Sequence, residues 1–250
     1  MAGAIGATRD REARHINHGG PVAVGDTRTY KTRRGRMRAG RADAMASLLP
    51  RYGVPEGVEP LDWSVLFGRR VPLVLEIGSG MGETTVAMAG ADPGRDYLAV
   101  EVHTAGVANL LGLIEAAGLS NVRVAHADAV ELLQIRVPTA SVDTIHIFFP
   151  DPWPKPRHHK RRLVRAERVR LLVDRLRPNG VLHCATDWLS YACEMLEVLG
   201  AAPDLENVHS GFASRPSHRP DTRFEQRAQA AGRGSYDLVF RRVARDRGSA

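Results

Sequence analysis

Residues 73–83 read LVLEIGSGMGE and contain the pattern from which the fold is predicted. An apolar run begins at Val71 and ends at Ile77, and glycines follow at alternate positions, at Gly78, Gly80 and Gly82. A short continuous apolar run that ends in a glycine-rich turn is typical of a buried parallel strand leading into a helix. Alternating glycines also let the backbone turn sharply and approach a ligand that a Cβ atom would exclude.

The acids around this turn indicate which ligand it would bind. The spacing is G-x-G-x-G rather than the G-x-G-x-x-G of dinucleotide-binding folds, and Glu83 occupies the position of the third glycine. Glu76 before the turn and Glu83 after it would repel a pyrophosphate and favour a ligand with cationic groups. S-adenosylmethionine, which has an amino group and a sulfonium, meets that description. The alternative is a glycine-rich turn that only packs a helix against a strand.

The remaining chain alternates between predicted strands and predicted helices. Strands are predicted at 97–102, 122–126, 142–149, 181–185 and 236–241. Helices are predicted at 104–117, 129–135, about 160–176 and 188–199. Repeated strand–helix units predict an α/β fold with a doubly wound, mostly parallel sheet and right-handed crossovers, in a domain that spans 56–250.

Residues 1–55 are predicted to form a basic, largely disordered N-terminal arm, because 1–41 lacks hydrophobic periodicity and is rich in Gly, Ala, Arg and His. A short helix at 42–49, ended by Pro50, is predicted within it. The segment 28–41 carries seven Lys and Arg residues. It is either a solvated arm or a phosphate-contacting arm that orders on RNA.

Charge, cysteine content and the length of the apolar runs indicate which classes of protein fit this sequence. The formal net charge of +7 and the sequence pI of about 10 are compatible with a polyanionic partner. Two cysteines give neither a disulfide framework nor a zinc spacing, which favours a reducing, cytoplasmic compartment. No apolar run approaches the length of about 18 residues that predicts a membrane span, and the N-terminus lacks the apolar segment of a secretory signal.

Acidic residues stand where the predicted parallel strands end, at Glu76, Glu101, Asp128, Asp151 and Asp187. Ligands of such sheets bind beyond the carboxyl ends of the strands, so these acids form a candidate site. Glu101 lies at the distance past the glycine turn where nucleotide-binding folds place a ribose-binding acid. Asp128 either accepts a hydrogen bond from the amino group of adenine or caps the helix that begins at Ala129.

Residues 148–162 read FFPDPWPKPRHHKRR and form the most specific stretch of the sequence. The four alternating prolines predict a stiff, extended loop that presents Asp151 and Lys155 without a large ordering cost. The cations at 157–162 predict a phosphate-binding surface beside the site. Trp153 either stacks on a base or packs the loop onto the domain. Because the two histidines of this stretch lack partners at ligand spacing, we expect no metal there.

Several motifs in order resemble the bacterial tRNA (guanine-N7)-methyltransferase (TrmB) family of class I, Rossmann-like methyltransferases. They are EIGSGMGE at 76–83, EVH at 101–103, FPDPWPK followed by RHHKRR within 149–162, TDW at 186–188 and TRFE at 222–225. The resemblance covers about residues 61–242. It implies S-adenosylmethionine contacts at Glu76, Gly78, Glu101, Asp128 and Asp151, with Asp151 also catalytic. It implies substrate contacts at Lys155, Asp187, Thr222, Arg223, Phe224 and Glu225, and RNA contacts at Arg157, His158, His159, Lys160, Arg161 and Arg162.

The function that the resemblance implies is transfer of a methyl group from S-adenosylmethionine to N7 of a guanine in the tRNA variable loop (position 46), with S-adenosylhomocysteine as the other product. The alternative is a class I methyltransferase that acts on another RNA or on a small molecule. The expected partner is tRNA. No metal, membrane or obligate protein partner is expected, and the expected state is a monomer or a homodimer.

Overall fold

A seven-stranded sheet in the strand order β3-β2-β1-β4-β5-β7-β6 forms the centre of the computed structural model, which describes residues 28–31, 39–221, 225–226, 230 and 232–243. The first five strands pair in parallel, and β7 runs antiparallel to both β5 and β6. This confirms the predicted doubly wound, mostly parallel α/β fold. The strands are β1 (Leu73–Ile77), β2 (Asp96–Glu101), β3 (Val122–His126), β4 (Val142–Phe148), β5 (Leu176–Thr186), β6 (Leu205–Asn207) and β7 (Tyr236–Arg242).

Helices cover both faces of the sheet. They are α1 (Ala39–Tyr52), α2 (Trp63–Phe67), α3 (Glu83–Ala91), α4 (Thr104–Ala116), α5 (Ala129–Ile135), α6 (Ala166–Arg175) and α7 (Leu189–Gly200), with a 3₁₀ helix at Pro156–Arg161. Apolar side chains of α1, α3 and α4 pack on one face, and those of α5, α6 and α7 pack on the other. All five residues of β1 are buried, as a strand enclosed between two helical layers requires. No helix in the described part of the chain is both long enough and apolar enough to cross a membrane.

The region between β4 and β5 differs from its prediction. Instead of one basic helix over 160–176, the 3₁₀ helix ends at Arg161, the buried residues Leu163 and Val164 follow, and α6 begins at Ala166. Pro178 and Gly180, expected to end a helix, lie within β5. The pairing there shifts from Val142–Leu176 to Thr144–Val181, so the extra residues of β5 form a bulge. Strand β6, only three residues long, was not predicted.

Helix α1 extends further than the predicted 42–49. It continues through Pro50 to Tyr52, whose side chain is buried. The chain then pairs with the sheet, since the Val54 amide donates a 2.9 Å hydrogen bond to the Val124 carbonyl. The predicted boundary between an N-terminal arm and the domain at residue 55 stays a prediction, and residues 1–27 and 32–38 lie outside the described residues.

Candidate functional site

The glycine turn after β1 leaves open space at two positions and allows close packing at a third. Gly78, Gly80 and Gly82 all have positive φ, of 79°, 59° and 86°, which only glycine adopts readily. A Cβ atom on Gly82 would lie 2.6 Å from the Leu110 side chain, so this glycine is required for packing. A Cβ on Gly78 or Gly80 would meet nothing within 4 Å. The turn therefore packs a helix and also presents bare backbone to a ligand.

Glu101 at the end of β2 is tied to this turn. Its Oε2 accepts a 2.8 Å hydrogen bond from the Gly80 amide, and its Oε1 accepts 2.7 Å bonds from the amides of Val102 and His103. The side chain is buried. A carboxylate held by three backbone amides has a fixed position, which suits an acceptor for a ribose diol.

Glu76 lies on β1 beneath the turn and is buried. Thr85 on α3 donates a 2.5 Å hydrogen bond to its Oε2. Burial raises the pKa of Glu76 to about 7, against the effect of the Thr85 hydrogen bond, and the charge of Glu101 adds to the rise. The site thus holds a buried acid, Glu76, whose protonation changes near neutral pH.

Asp128 is the N-cap residue of α5. Its Oδ1 accepts hydrogen bonds of 2.8 Å from the Val130 amide and 3.3 Å from the Glu131 amide. The capping alternative is therefore correct. Because both bonds use the same oxygen, the cap does not exclude a second acceptor function toward a ligand, and the cofactor contact stays a prediction.

The proline-rich loop follows β4 in a constrained conformation. Phe149 and Trp153 have positive φ, of 49° and 44°, which is uncommon for residues with a side chain and recurs at functional sites. Trp153 is buried, its indole N–H donates a 3.1 Å hydrogen bond to the Thr29 carbonyl, and the Arg161 guanidinium lies 4.9 Å from its ring centroid. Of the two alternatives for Trp153, the structure shows the packing one.

Residues 28–31 lie across the rim of the site. The Lys31 amide donates a 3.2 Å hydrogen bond to Oδ2 of Asp151, and the Lys31 ammonium is 3.6 Å from Oδ1. The neighbouring Tyr30 ring contacts His103 edge-on, with centroids 6.3 Å apart. Two adjacent residues thus contact the end of β2 and the loop after β4, which puts His103 and Asp151 on the same side of the molecule.

Strand order explains why the predicted acids share an edge. Strands β3, β2, β1, β4 and β5 are consecutive in the sheet and parallel, so their carboxyl ends form one rim. That rim contains, or is directly followed by, Glu76, Gly78, Glu101, Asp128, Asp151 and Asp187. Asp187 forms an ion pair with Arg233, at 3.0 Å, in the segment that precedes β7.

The basic run after the proline-rich loop forms the 3₁₀ helix and is only partly a surface. Lys155, Arg157 and Lys160 are exposed, and His158, His159 and Arg161 are half-buried. Arg162 is different, because it is 1% exposed, forms an ion pair with Glu194 and donates a 2.9 Å hydrogen bond to the Pro152 carbonyl. In the structure Arg162 thus anchors the loop internally, and its predicted RNA contact stays a prediction.

Glu225 is also placed differently from its prediction. It is 2% exposed, and it accepts hydrogen bonds of 2.7 and 3.0 Å from Arg219 and of 2.6 Å from the Ser235 hydroxyl. Burial acts to raise the pKa of Glu225, but the Arg219 and Ser235 hydrogen bonds hold it below its ordinary value. Glu225 is therefore internal in this structure, and its predicted substrate contact stays a prediction. Thr222, Arg223 and Phe224 lie outside the described residues.

The sequence analysis missed Arg219 and its partners. The Arg219 guanidinium is buried and makes a second pair of 2.8 Å hydrogen bonds with Asp237 on β7. Asp237 in turn accepts a 2.7 Å hydrogen bond from Nε2 of His183 on β5. The available signal was a histidine inside the apolar strand pattern at 181–185, since a polar side chain on a buried strand needs a partner.

Comparison with known proteins decides the family. The profile of a family described as a putative methyltransferase matches residues 70–238. A tRNA (guanine-N(7)-)-methyltransferase of Paraburkholderia xenovorans is 52% identical over 215 residues, which cover 86% of this chain and 83% of the relative. The chain belongs to the bacterial tRNA (guanine-N7)-methyltransferase family. A member from Nitrosospira multiformis is 49% identical over 86% of this chain and 94% of its own length. The family resemblance seen in the motifs is thereby confirmed.

Solved structures with a similar fold are class I methyltransferases. The 16S rRNA methyltransferase KamB has a TM-score of 0.54 at 15% identity, covering 73% of this chain and 93% of its own. TrmN from Thermus thermophilus has a TM-score of 0.50 at 18% identity, covering 81% of this chain and 49% of its own. At these identities the likeness supports the fold of the family alone.

The site fits the cofactor that methyltransferases of this family use. Open space above Gly78 and Gly80 allows close approach of a ligand to bare backbone. The fixed carboxylate of Glu101 could accept from a ribose, and the surrounding acids suit the amino group and sulfonium of S-adenosylmethionine. These individual contacts stay predictions.

Proposed function

We propose that the chain transfers the methyl group of S-adenosylmethionine to N7 of a guanine in the variable loop of tRNA (position 46). Membership of the family supports the reaction. The single observation that carries the proposal is the position of Asp151. It follows β4, the strand next to β1 and its glycine turn, and the exposed cations of the 3₁₀ helix follow it within a few residues. We expect the enzyme to act in the cytoplasm, where tRNA is modified.

Methyl transfer to guanine N7 requires little acid–base catalysis from the protein. Guanine N7 has a lone pair in the plane of the ring, so it can attack a methyl group without first losing a proton, and no strong general base is needed. S-adenosylmethionine supplies the electrophilic methyl group when bound. The protein must hold N7 in line with that methyl group, which is a task of proximity and orientation.

Asp151 would act on the charge that the transfer creates. Methylation of N7 places a positive charge on the purine, and a carboxylate held beside it stabilises that charge as it develops. The Lys31 ammonium, which lies 3.6 Å from Asp151 and 5.3 Å from the Trp153 ring centroid, supports this proposal, because it shows that a cation can be held beside this carboxylate. Asp151 could also accept hydrogen bonds from N1–H and the amino group of guanine, which adenine does not offer as a pair.

RNA binding is assigned to the exposed part of the basic run. Lys155, Arg157 and Lys160 project to solvent from the start and the body of the 3₁₀ helix. We expect them to contact phosphates, with the base exposed from the folded RNA into the pocket. Asp187 would contact the substrate only after exchanging its ion pair with Arg233.

The test is product analysis. Unmodified tRNA transcripts carrying guanine at position 46 are incubated with the full chain and S-adenosylmethionine, digested to nucleosides and analysed for 7-methylguanosine. The control substrate is the same transcript with adenine at that position, and the control protein is the Asp151→Asn variant. We expect 7-methylguanosine with the guanine transcript and not with the adenine transcript, and we expect Asp151→Asn to form it about 100-fold more slowly than the unaltered chain. A methylated product that persists with the adenine transcript would overturn the proposed target.

A further inference from the structure

Three histidines converge on one side of the sheet, where His146 is the in-register neighbour of Glu76. His146 is on β4 and His183 is its in-register neighbour on β5, so both side chains project to the same side. His218 comes from the segment between β6 and β7 and lies against both, with ring centroids 5.8 Å from His146 and 5.4 Å from His183. One ring nitrogen of each histidine lies within 4.8 Å of the other two.

Two of these rings carry buried nitrogens that form no hydrogen bond with any residue that the structure describes. His146 is 3% exposed and His183 is 1% exposed. The Nδ1 atom of each has no hydrogen-bond partner within the described residues. Buried polar atoms without a partner are rare in native proteins and require an explanation. Here the two unused atoms belong to neighbouring rings of one cluster.

Asp237 fixes which nitrogen of His183 is available. It accepts a 2.7 Å hydrogen bond from Nε2 of His183 and two 2.8 Å hydrogen bonds from the Arg219 guanidinium. Because this carboxylate acts as the acceptor, Nε2 is the donor, and Nδ1 is the nitrogen that is left for a ligand. A carboxylate behind a histidine, with the other ring nitrogen pointing away, is the usual arrangement around metal-binding histidines.

The other two histidines are suited to complete such a site. His146 is buried beside His183, and its Nδ1 atom has no hydrogen-bond partner within the described residues, so that atom is free to act as a ligand. His218 is exposed, which provides an access route from solvent. Tetrahedral coordination at zinc–nitrogen distances requires nitrogens about 3.3 Å apart. His218 lies in an irregular segment and could move inward to close that gap.

We propose that His146, His183 and His218 bind one divalent transition-metal ion of the Zn²⁺ class, with a fourth position open to water. Three imidazole ligands select such an ion over Mg²⁺ or Ca²⁺, which prefer oxygen ligands. The ion would join β4 and β5 to the segment that leads to Arg219 and Glu225. Because methyl transfer to guanine N7 needs no metal, the site would order this segment and take no part in the chemical step.

The experiment uses the full chain with any affinity tag removed and treated with a chelator. Zn²⁺ is added, unbound metal is removed by gel filtration, and retained metal is measured per chain. Co²⁺ serves as a second probe, because its visible bands report the coordination number. We expect about one equivalent of Zn²⁺ and a Co²⁺ spectrum typical of four-coordination. We also expect His218→Ala to weaken Zn²⁺ binding at least tenfold, and His218→Cys, which keeps a ligand atom, to retain it.

Two further variants make the test specific. His209→Ala removes another exposed histidine from the same segment and should leave the stoichiometry and the Co²⁺ spectrum unchanged. His146→Gln, checked for folding by circular dichroism, should lose the metal as His218→Ala does. Failure of the unaltered chain to retain metal would mean that the three rings only pack, with Phe148 stacked 4.7 Å from His146, and would overturn the proposal. Equal Zn²⁺ binding by the unaltered chain and by His218→Ala would mean that the metal binds at another site, which would also overturn the proposal.

Discussion

Arg219→Met tests whether the buried arginine holds the segment before β7 against the sheet. The guanidinium makes two bidentate contacts, one with Glu225 and one with Asp237, through hydrogen bonds of 2.7–3.0 Å. All three side chains are at most 2% exposed. Methionine fills a similar volume and removes the charge, which leaves two buried carboxylates without their common cation.

The expected loss of stability follows from that burial. Removing one partner of a buried ion pair costs about 3–5 kcal/mol. For a domain of this size, a loss of about 4 kcal/mol lowers the midpoint of thermal unfolding by about 8–16 °C. The matched control is Arg215→Met, because Arg215 is 43% exposed and lies 3.9 Å from the same Glu225. Because Arg215 is exposed and lies near the limit of the ion-pair distance from Glu225, its loss should cost less than about 1 kcal/mol.

The pH dependence gives an independent measure of the same contact. In the unaltered protein the pKa values of Glu225 and Asp237 are lowered, so their contribution to stability is present above their ordinary pKa values and is lost as the pH falls through the lowered ones. Without Arg219, burial raises the pKa of both carboxyl groups. Their protonation at lower pH then removes the free-energy cost of burying two charges without their common cation. The gap in stability between Arg219→Met and the unaltered protein should therefore narrow from pH ~8 to pH ~5. Thermal unfolding that is equal for the Met variants of Arg219 and Arg215, or a gap that does not depend on pH, would refute the reasoning.

Three other predictions use different measurements. Asp151→Asn should lower the single-turnover rate of tRNA methylation by about 100-fold with unchanged thermal unfolding, because it removes charge but keeps shape; an undiminished rate would exclude the charge role. Burial raises the pKa of Glu76 from 4.5 to about 7, so its contribution to stability is present below its ordinary pKa and is lost as the pH rises through about 7. That loss corresponds to about 3 kcal/mol, which denaturant unfolding across this pH range should show for the unaltered protein and not for Glu76→Gln. Arg157→Ala and Lys160→Ala should each reduce the slope of log tRNA affinity against log salt by about one, whereas Arg162→Ala should leave the slope unchanged and lower stability; a reduced slope for Arg162→Ala would contradict its internal position.

Local patterns predicted the fold because they determine it directly. The apolar run into Gly78 could only be a buried strand and a tight turn, and β1 has that environment on both faces. The acids at the strand ends could be placed on one rim because parallel strands share a direction. The bulge in β5 could not be predicted, because it depends on how residues 176–181 pair with β4. Pro178 and Gly180 were also misleading, since proline and glycine commonly follow the end of a helix.

The buried positions of Arg162 and Glu225 were not predicted, because charge was treated as a surface property. Arg162 and Glu225 read as solvent-facing because charged residues are rarely buried without partners. Their partners, Glu194 and Arg219, are brought to them by tertiary packing that no local spacing reveals. Arg219 itself stands in an irregular segment with no periodic pattern, so only the three-dimensional structure could show that it is internal.

Gly106 gives the cofactor rim a rigidity that has a thermodynamic consequence. A Cβ atom at this position would lie 2.2 Å from the Gly80 carbonyl oxygen, so the start of α4 rests directly on the glycine turn, main chain against main chain. Because this contact is made by the main chain, the glycine turn already has its ordered conformation before a ligand binds. Binding then carries no additional cost for ordering the loop, and the affinity depends chiefly on how well the ligand fits the site.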